Sequence, residues 1–111
     1  MTRSLAAGHP VTLDSSATIA DGLMNLRPGA LTFAHVQAFV DEVVMVNDEA
    51  IAKAVAWLSR HARLVVEPSG AATTAAVMLG LGHADPTRGQ TVAIVSGGNV
   101  APEAFAKYIS S

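Results

Sequence analysis

The first regular pattern along the chain lies between residues 32 and 46. Apolar side chains follow the i, i+3, i+4, i+7 spacing from residue 36 to residue 43, which is typical of one buried face of a helix. Thr32 is of the residue type that caps a helix N-terminus, and we expect the helix to end near Asp41 or Glu42. Val43-Val44-Met45-Val46 is an unbroken apolar run, which predicts a short strand.

A second helix is predicted directly after that run. Asn47 is placed to cap it, and Asp48 and Glu49 then lie in the first turn, where negative charge is favoured by the helix dipole. The buried stripe of this helix is predicted from residues at helical spacing: Ile51, Ala54, Val55 and Leu58. Its last turn holds side chains that suit the opposite end of the dipole: Arg60, His61 and Arg63.

The second half of the chain predicts a strand, a helix and another strand across residues 64–96. Residues 64–66 form a short apolar run, and residues 71–81 are apolar or small on every face, as in a fully buried helix ended by glycines. Residues 91–95 are continuously apolar, which is typical of a strand covered on both faces. Pro102 is expected to start a last helix, through about Ile109. The predicted fold class is therefore α/β, with a partial parallel sheet and flanking helices.

Polar residues follow both predicted strands of that unit. Glu67 begins Glu67-Pro68-Ser69-Gly70, and the second strand runs into Ser96-Gly97-Gly98-Asn99. Ligands of parallel sheets bind beyond the carboxyl ends of the strands, so Glu67 and Ser96 should open onto one cleft if the strands are neighbours. Two alternatives to a ligand-binding cleft stay open. Either Gly97 and Gly98 serve only to form a turn, as glycines do, or Glu67 pairs with a nearby arginine such as Arg63.

The first 30 residues, which include Gly8-His9-Pro10 and Pro28-Gly29, are typical of irregular connections. We expect one short turn or helix near residues 18–25, in which Asp21 bonds local amides. The chain is accordingly divided into an irregular arm, residues 1–17, and a main part, residues 18–111.

Composition narrows the class of protein. Half of the residues are hydrophobic and only 14% are charged, which excludes a disordered chain. The net charge is -2, so the sequence does not provide the basic surface that binds nucleic acid. Cysteine is absent, the N-terminus lacks the apolar core of a signal peptide, and the longest apolar stretch, residues 70–81, is too short for a membrane span. We expect a soluble cytoplasmic protein that does not bind a membrane. No metal site is expected from the histidines, which show no ligand spacing: His9, His35, His61 and His83.

Five short motifs, taken in order, resemble the C-terminal part of serine/threonine dehydratases. This pyridoxal-phosphate family has the tryptophan-synthase-β type of fold and also contains serine racemase. The resemblance covers about residues 4 to 109, and its motifs are Thr18-Ile19-Ala20-Asp21-Gly22, Leu31-Thr32-Phe33, Val40-Asp41-Glu42-Val43-Val44, Val66-Glu67-Pro68-Ser69-Gly70-Ala71 and Val95-Ser96-Gly97-Gly98-Asn99.

The resemblance implies a role for five residues toward pyridoxal 5'-phosphate. Ser96 holds the position that hydrogen-bonds the pyridine nitrogen, and Gly97 lets the main chain approach the cofactor. Glu67 matches a glutamate near the ring, Gly22 matches a glycine that lines the cofactor face, and Asn99 completes the turn. A neutral hydroxyl moderates the electron sink, which suits β-elimination of a hydroxyl group.

Other parts of the family pattern have no match. The Schiff-base lysine motif, the glycine-rich phosphate loop and the acidic cluster that binds a divalent cation are missing, so no catalytic or metal-binding residue is assigned. We expect Met1 to fall at an internal position of the family fold, and the isolated chain to be inactive.

The resemblance implies a C-terminal segment of an L-serine/L-threonine dehydratase, an ammonia-lyase of threonine catabolism that gives a 2-oxo acid and ammonia. The alternatives are a racemase of the same family and an inactive remnant that acts as an interaction module. The implied partners are the amino-acid substrate, and further copies of the chain or the missing N-terminal half.

Overall fold

The structure, a computed structural model, describes residues 1–82, 87 and 89–110. Helices and turns connect in the order α1 (Thr2–Ala7), a 3₁₀ turn (Asp21–Leu23), α2 (Ala30–Phe39), α3 (Asp48–Trp57), a π-helical turn (Leu58–Ala62), α4 (Pro68–Met78) and α5 (Pro102–Ile109). No helix within these ranges is long and apolar enough to cross a membrane.

Two helix starts agree with the sequence pattern and two do not: α4 begins at Pro68 instead of residue 71, and α2 also begins early. The Asn47 side chain accepts a hydrogen bond of 2.9 Å from the Ala50 N–H at the start of α3, and α5 begins at Pro102, both as predicted. Helix α2 begins three residues earlier than expected, because Gly29 rather than Thr32 occupies the cap position. Thr32 lies inside the first turn of α2.

The core lies between α3 and α4. All four residues of the predicted stripe are buried, three on α3 and Leu58 in the π-helical turn, and they pack against Val66, Ala71 and Ala75. The α4 positions are small, which lets the two helices approach closely. Ala20, from the motif near the N-terminus, joins the same cluster at 1% exposure. The core therefore ties residues 18–22 to α3 and α4.

The predicted parallel sheet is not formed. None of the described residues is in a strand, which corrects the assignments at residues 43–46, 64–66 and 91–95. A β-strand requires main-chain hydrogen bonds to an adjacent extended segment along its length. Between residues 64–67 and 94–99, the main chains are joined by one hydrogen bond, from the Glu67 N–H to the Gly97 carbonyl oxygen, at 3.1 Å.

Most side chains of residues 64–65 and 91–95 also face solvent instead of a covering layer, whereas Val66 is buried in the core. Val65 is 61% exposed and Val92 is 81% exposed, although both sequence runs are typical of buried strands. Helix α4 is similarly open on one side, where Val77, Met78 and Leu79 are exposed. The expectation of a helix buried on every face is therefore wrong for this chain.

The shape of the molecule is open and thin. Its radius of gyration is 15.0 Å and its smallest dimension is 19 Å, whereas a compact domain of this length has a radius of about 13 Å. Its accessible surface is 7630 Å², against about 5,800 Å² for a compact monomer of this mass. About 1,800 Å² of surface is therefore exposed beyond that of an ordinary small domain.

The N-terminal region is more regular than its sequence suggests. Helix α1 occupies part of the stretch predicted to be irregular, and its C-terminus is closed by Gly8 at a φ of 73°. The buried Ser4 hydroxyl accepts a hydrogen bond of 2.9 Å from the Val11 N–H, which folds the following segment back onto α1. The 3₁₀ turn falls within the predicted range of residues 18–25.

Candidate functional site

The N-terminus of α4 is the point where three of the sequence motifs meet. Pro68 fills the first position of α4, where its missing N–H is not needed, and Glu67 directly precedes the helix. The turn of residues 96–99 contacts Glu67 from one side. Gly22 contacts Ser69 from another. The site thus combines segments that are widely separated in the sequence.

Glu67 is bound to the turn of residues 96–99 by two hydrogen bonds of opposite direction. Its main-chain N–H donates to the Gly97 carbonyl oxygen at 3.1 Å, and its Oε2 accepts from the Asn99 N–H at 2.9 Å. The side chain is half-buried. The alternative partner, Arg63, forms no ion pair with Glu67 in the described part of the chain. The predicted proximity of Glu67 and the Ser96 turn is confirmed.

The turn fits against its neighbours only because glycines stand at the contact points. A Cβ on Gly97 would lie 2.7 Å from Cδ of Glu67, and a Cβ on Gly98 would lie 2.7 Å from the carbonyl oxygen of Val65. A Cβ on Gly70, in the first turn of α4, would meet the main-chain oxygen of Gly97 at 2.7 Å. These glycines are required by close packing, because none of the three has a positive φ.

Gly22 is held against the start of α4 by Ser69. The Gly22 N–H donates to Ser69 Oγ at 2.9 Å and to its neighbour Asp21 Oδ1 at 2.8 Å. Ser69 Oγ in turn lies 3.4 Å from Asp21 Oδ1 and can donate to it. The predicted bonding of local amides by Asp21 is confirmed. Asp21, Gly22 and Ser69 form one small network beside Glu67.

Two residues that hold this arrangement, Ser69 and Asp48, have no sequence pattern that indicates their role. Ser69 lies in the motif of residues 66–71, but it contacts Gly22, which is 47 positions away in the sequence. No local sequence pattern indicates that contact. Asp48 accepts hydrogen bonds from the Thr18 hydroxyl and, at 3.2 Å, from the Ile19 N–H. Asp48 was assigned only to the dipole of α3. Its position beside the cap Asn47 gives no indication of that second contact.

Ser96 presents its side chain to solvent at the edge of this site. The residue is exposed, and its hydroxyl makes no hydrogen bond to the rest of the described chain. The segment before it is fixed on α4, because the Thr73 hydroxyl donates to the Ile94 carbonyl oxygen at 2.6 Å. The Ser96 hydroxyl is therefore available to a ligand, on a main chain that is anchored on both sides.

The site contains no candidate for a metal ion. Within residues 1–82, 87 and 89–110, no group of three His, Asp or Glu side chains could coordinate one. His83 lies outside the described residues. A lowered pKa is found for Glu49, on α3 and outside the site: its hydrogen bond with Lys53 and the Lys53 charge both favour the ionised carboxylate.

Residues 1–98 match the family described as pyridoxal-phosphate dependent enzymes. The chain is 43% identical to L-threonine ammonia-lyase of Thermotoga maritima over 101 residues, which is 90% of this chain and 24% of that protein. It is 34% identical to the catabolic L-threonine dehydratase of Escherichia coli over 100 residues, 90% of this chain and 30% of that protein.

Solved structures show the same relationship. Threonine deaminase isoform 2 of Solanum lycopersicum superposes with a TM-score of 0.82 at 30% identity, over 98% of this chain and 32% of that chain. Maize serine racemase superposes with a TM-score of 0.75 at 35% identity, over 97% of this chain and 35% of that chain. The chain spans about a quarter to a third of the length of these four proteins. It belongs to the family of pyridoxal-phosphate dependent enzymes, with the tryptophan-synthase-β type of fold.

Proposed function

We propose that this chain is the C-terminal segment of a pyridoxal-phosphate dependent ammonia-lyase that acts on L-threonine or L-serine. The reaction releases ammonia and leaves a 2-oxo acid. The observation that carries the proposal is the convergence of Gly22, Glu67 and the Ser96 turn at the N-terminus of α4. The two curated relatives described above carry the names of a threonine ammonia-lyase and a threonine dehydratase, which supports this reaction over racemisation.

The residues at the site fit pyridoxal phosphate. Ser96 offers an exposed hydroxyl, which can bond a ring nitrogen without adding charge, and Gly97 and Gly22 carry no side chain that would keep a flat ring away. We assign Ser96 to the pyridine nitrogen, Gly22 and Gly97 to the cofactor face, Glu67 to the vicinity of the ring, and Asn99 to the support of the turn. The cofactor supplies the electron sink that makes the substrate α-carbon acidic.

The contribution of this chain is to hold and tune that group. A serine hydroxyl is neutral, so it leaves the ring less positively charged than an aspartate would. The anchored turn keeps Ser96 at a fixed place, and preorganised contacts of this kind cost no rearrangement during the reaction. The chain supplies no side chain that we assign to proton transfer at the substrate.

We further propose that the extended segments 64–66 and 91–95 are two strands of a parallel sheet that the rest of the family fold completes. Three observations support it: the exposed apolar side chains, the roughly 1,800 Å² of surface beyond that of a compact monomer, and the one-third coverage of the superposed structures. The partner is the N-terminal part of the fold, within a cytoplasmic homo-oligomer, and residues 18–111 form the portion that docks on it.

A chimera tests the proposed reaction. The matched 101-residue segment of the Thermotoga maritima enzyme is replaced by the corresponding part of this chain, and 2-oxobutanoate and ammonia are measured with L-threonine. We expect turnover by the chimera and none by the present chain alone. A folded chimera that binds pyridoxal phosphate but releases neither product would overturn the proposal.

The same chimera distinguishes the racemase alternative. Incubation with L-serine should give pyruvate and ammonia. Accumulation of D-serine without pyruvate would assign this segment to the racemases, whose solved member from maize is also similar to the chain.

A further inference from the structure

We infer that Glu67 is a positioning residue, which fixes Ser96 through the main chain of residues 97–99 rather than through its negative charge. This inference rests on the function proposed above. It differs from a role for the carboxylate on the cofactor itself, because the atoms that Glu67 contacts belong to the turn.

The carboxylate lies against the turn at two places, Gly97 and Asn99. Oε2 of Glu67 accepts from the Asn99 N–H at 2.9 Å, while Cδ lies 2.7 Å from where a Cβ of Gly97 would be. The main-chain N–H of Glu67 also donates to the Gly97 carbonyl oxygen. The two hydrogen bonds set both the distance and the direction of the turn relative to α4, because each fixes a different residue of the turn.

The opposite sides of the turn are closed by main chain. Gly70 of α4 approaches Gly97, and Val65 approaches Gly98, at separations that exclude a Cβ. The turn therefore has little room to shift toward either element. Glu67 supplies the remaining restraint, on the Asn99 end. Without an acceptor at position 67, this end of the turn loses its hydrogen bond, and Ser96 loses the support behind it.

A side-chain oxygen that accepts a hydrogen bond is all that this role requires. Glutamine has such an oxygen but no charge, whereas alanine has neither. The pair Glu67→Gln and Glu67→Ala thus separates positioning from charge. Glu103, an exposed glutamate in the first turn of α5, provides the matched control in Glu103→Ala.

The first measurement uses the chimera described above, without cofactor. Amide hydrogen exchange of the peptide that contains Asn99 is followed by mass spectrometry in the parent and in the three variants. We expect exchange of this peptide to accelerate at least about fivefold in Glu67→Ala, and to stay near the parent rate in Glu67→Gln and Glu103→Ala. Equal exchange in Glu67→Ala and the parent would overturn the inference.

The second measurement uses the same chimera with cofactor. We expect kcat for 2-oxobutanoate release to fall about tenfold in Glu67→Ala, with unchanged cofactor content, and to be largely restored in Glu67→Gln. If Glu67→Gln is as slow as Glu67→Ala, the charge matters and the inference is wrong. A chimera that is inactive even with Glu67 in place would refute the proposed function, while the exchange measurement would still decide the role of Glu67.

Discussion

The main-chain N–H of Asn99 donates a hydrogen bond of 2.9 Å to the carboxylate of Glu67, although 32 positions separate the two residues. This bond joins a turn rich in glycine to the start of α4. Gly22 reaches the same helix end through Ser69. The candidate cofactor face of the chain is therefore built around one helix N-terminus.

Gly98 and Gly97 should respond differently to alanine. In Gly98→Ala the new Cβ meets a main-chain oxygen, that of Val65, at 2.7 Å, so the backbone must shift. We expect a loss of about 1–3 kcal/mol in the free energy of unfolding. In Gly97→Ala the obstacle is the flexible Glu67 side chain, which can turn away, so the loss should be smaller. Urea denaturation of both variants checks this order, and equal losses would contradict it.

The cap of α3 should contribute measurably to stability. Asn47→Ala removes the acceptor of the Ala50 N–H, and we expect a loss of about 0.5–2 kcal/mol. Asn47→Asp keeps an acceptor and adds negative charge at the positive end of the helix dipole, so it should unfold at or above the wild-type urea concentration. A destabilised aspartate variant would show that the cap hydrogen bond does not explain the effect.

The exposed apolar segments should make the isolated chain bind a hydrophobic dye or aggregate. Val92 is 81% exposed and Ile94 is 70% exposed. The double variant Val92→Thr, Ile94→Thr should show lower dye fluorescence and less aggregation by light scattering. Leu31→Thr, at a similarly exposed position on α2, is the control and should have a smaller effect. A monodisperse wild type without dye binding would argue against an open core.

Lys53 should hold the pKa of Glu49 below its ordinary value. The hydrogen bond from Lys53 is the larger cause, and the attraction of its charge adds to it. A lowered carboxyl pKa contributes stability above the ordinary pKa of glutamate, and this contribution is lost as the pH falls through the lowered value. Lys53→Met should raise the pKa of Glu49, as followed by NMR of its carboxyl carbon. An unchanged titration would exclude the pairing in solution.

The local parts of the fold could be predicted from the sequence. The stripe on α3 and its cap at Asn47 depend on neighbouring residues, and the structure confirms both. The strands could not be predicted in the same way. An apolar run such as residues 91–95 indicates a strand that is covered on both faces, but it does not indicate whether this chain supplies the cover. In the described part of the chain, residues 91–95 have exposed side chains and no strand partner, because that cover is not supplied.

The site was predictable where the two contacting segments occupy equivalent places in a predicted unit. Glu67 and the Ser96 turn were expected to meet because both follow apolar runs at the same end of a predicted unit, and they do meet. Ser69 and Asp48 were missed because their contacts with residues 18–22 depend on how α3 and α4 pack. No spacing within either segment encodes that packing.

The proposal that Ser96 faces the cofactor of an ammonia-lyase is tested most directly by 2-oxobutanoate release from the Ser96→Ala chimera. We predict that its rate falls at least about tenfold, because the ring nitrogen loses its hydroxyl partner. The control Ser59→Ala, in the π-helical turn and outside the three motifs, should retain the parent rate. A Ser96→Ala chimera that works as fast as its parent would contradict the account.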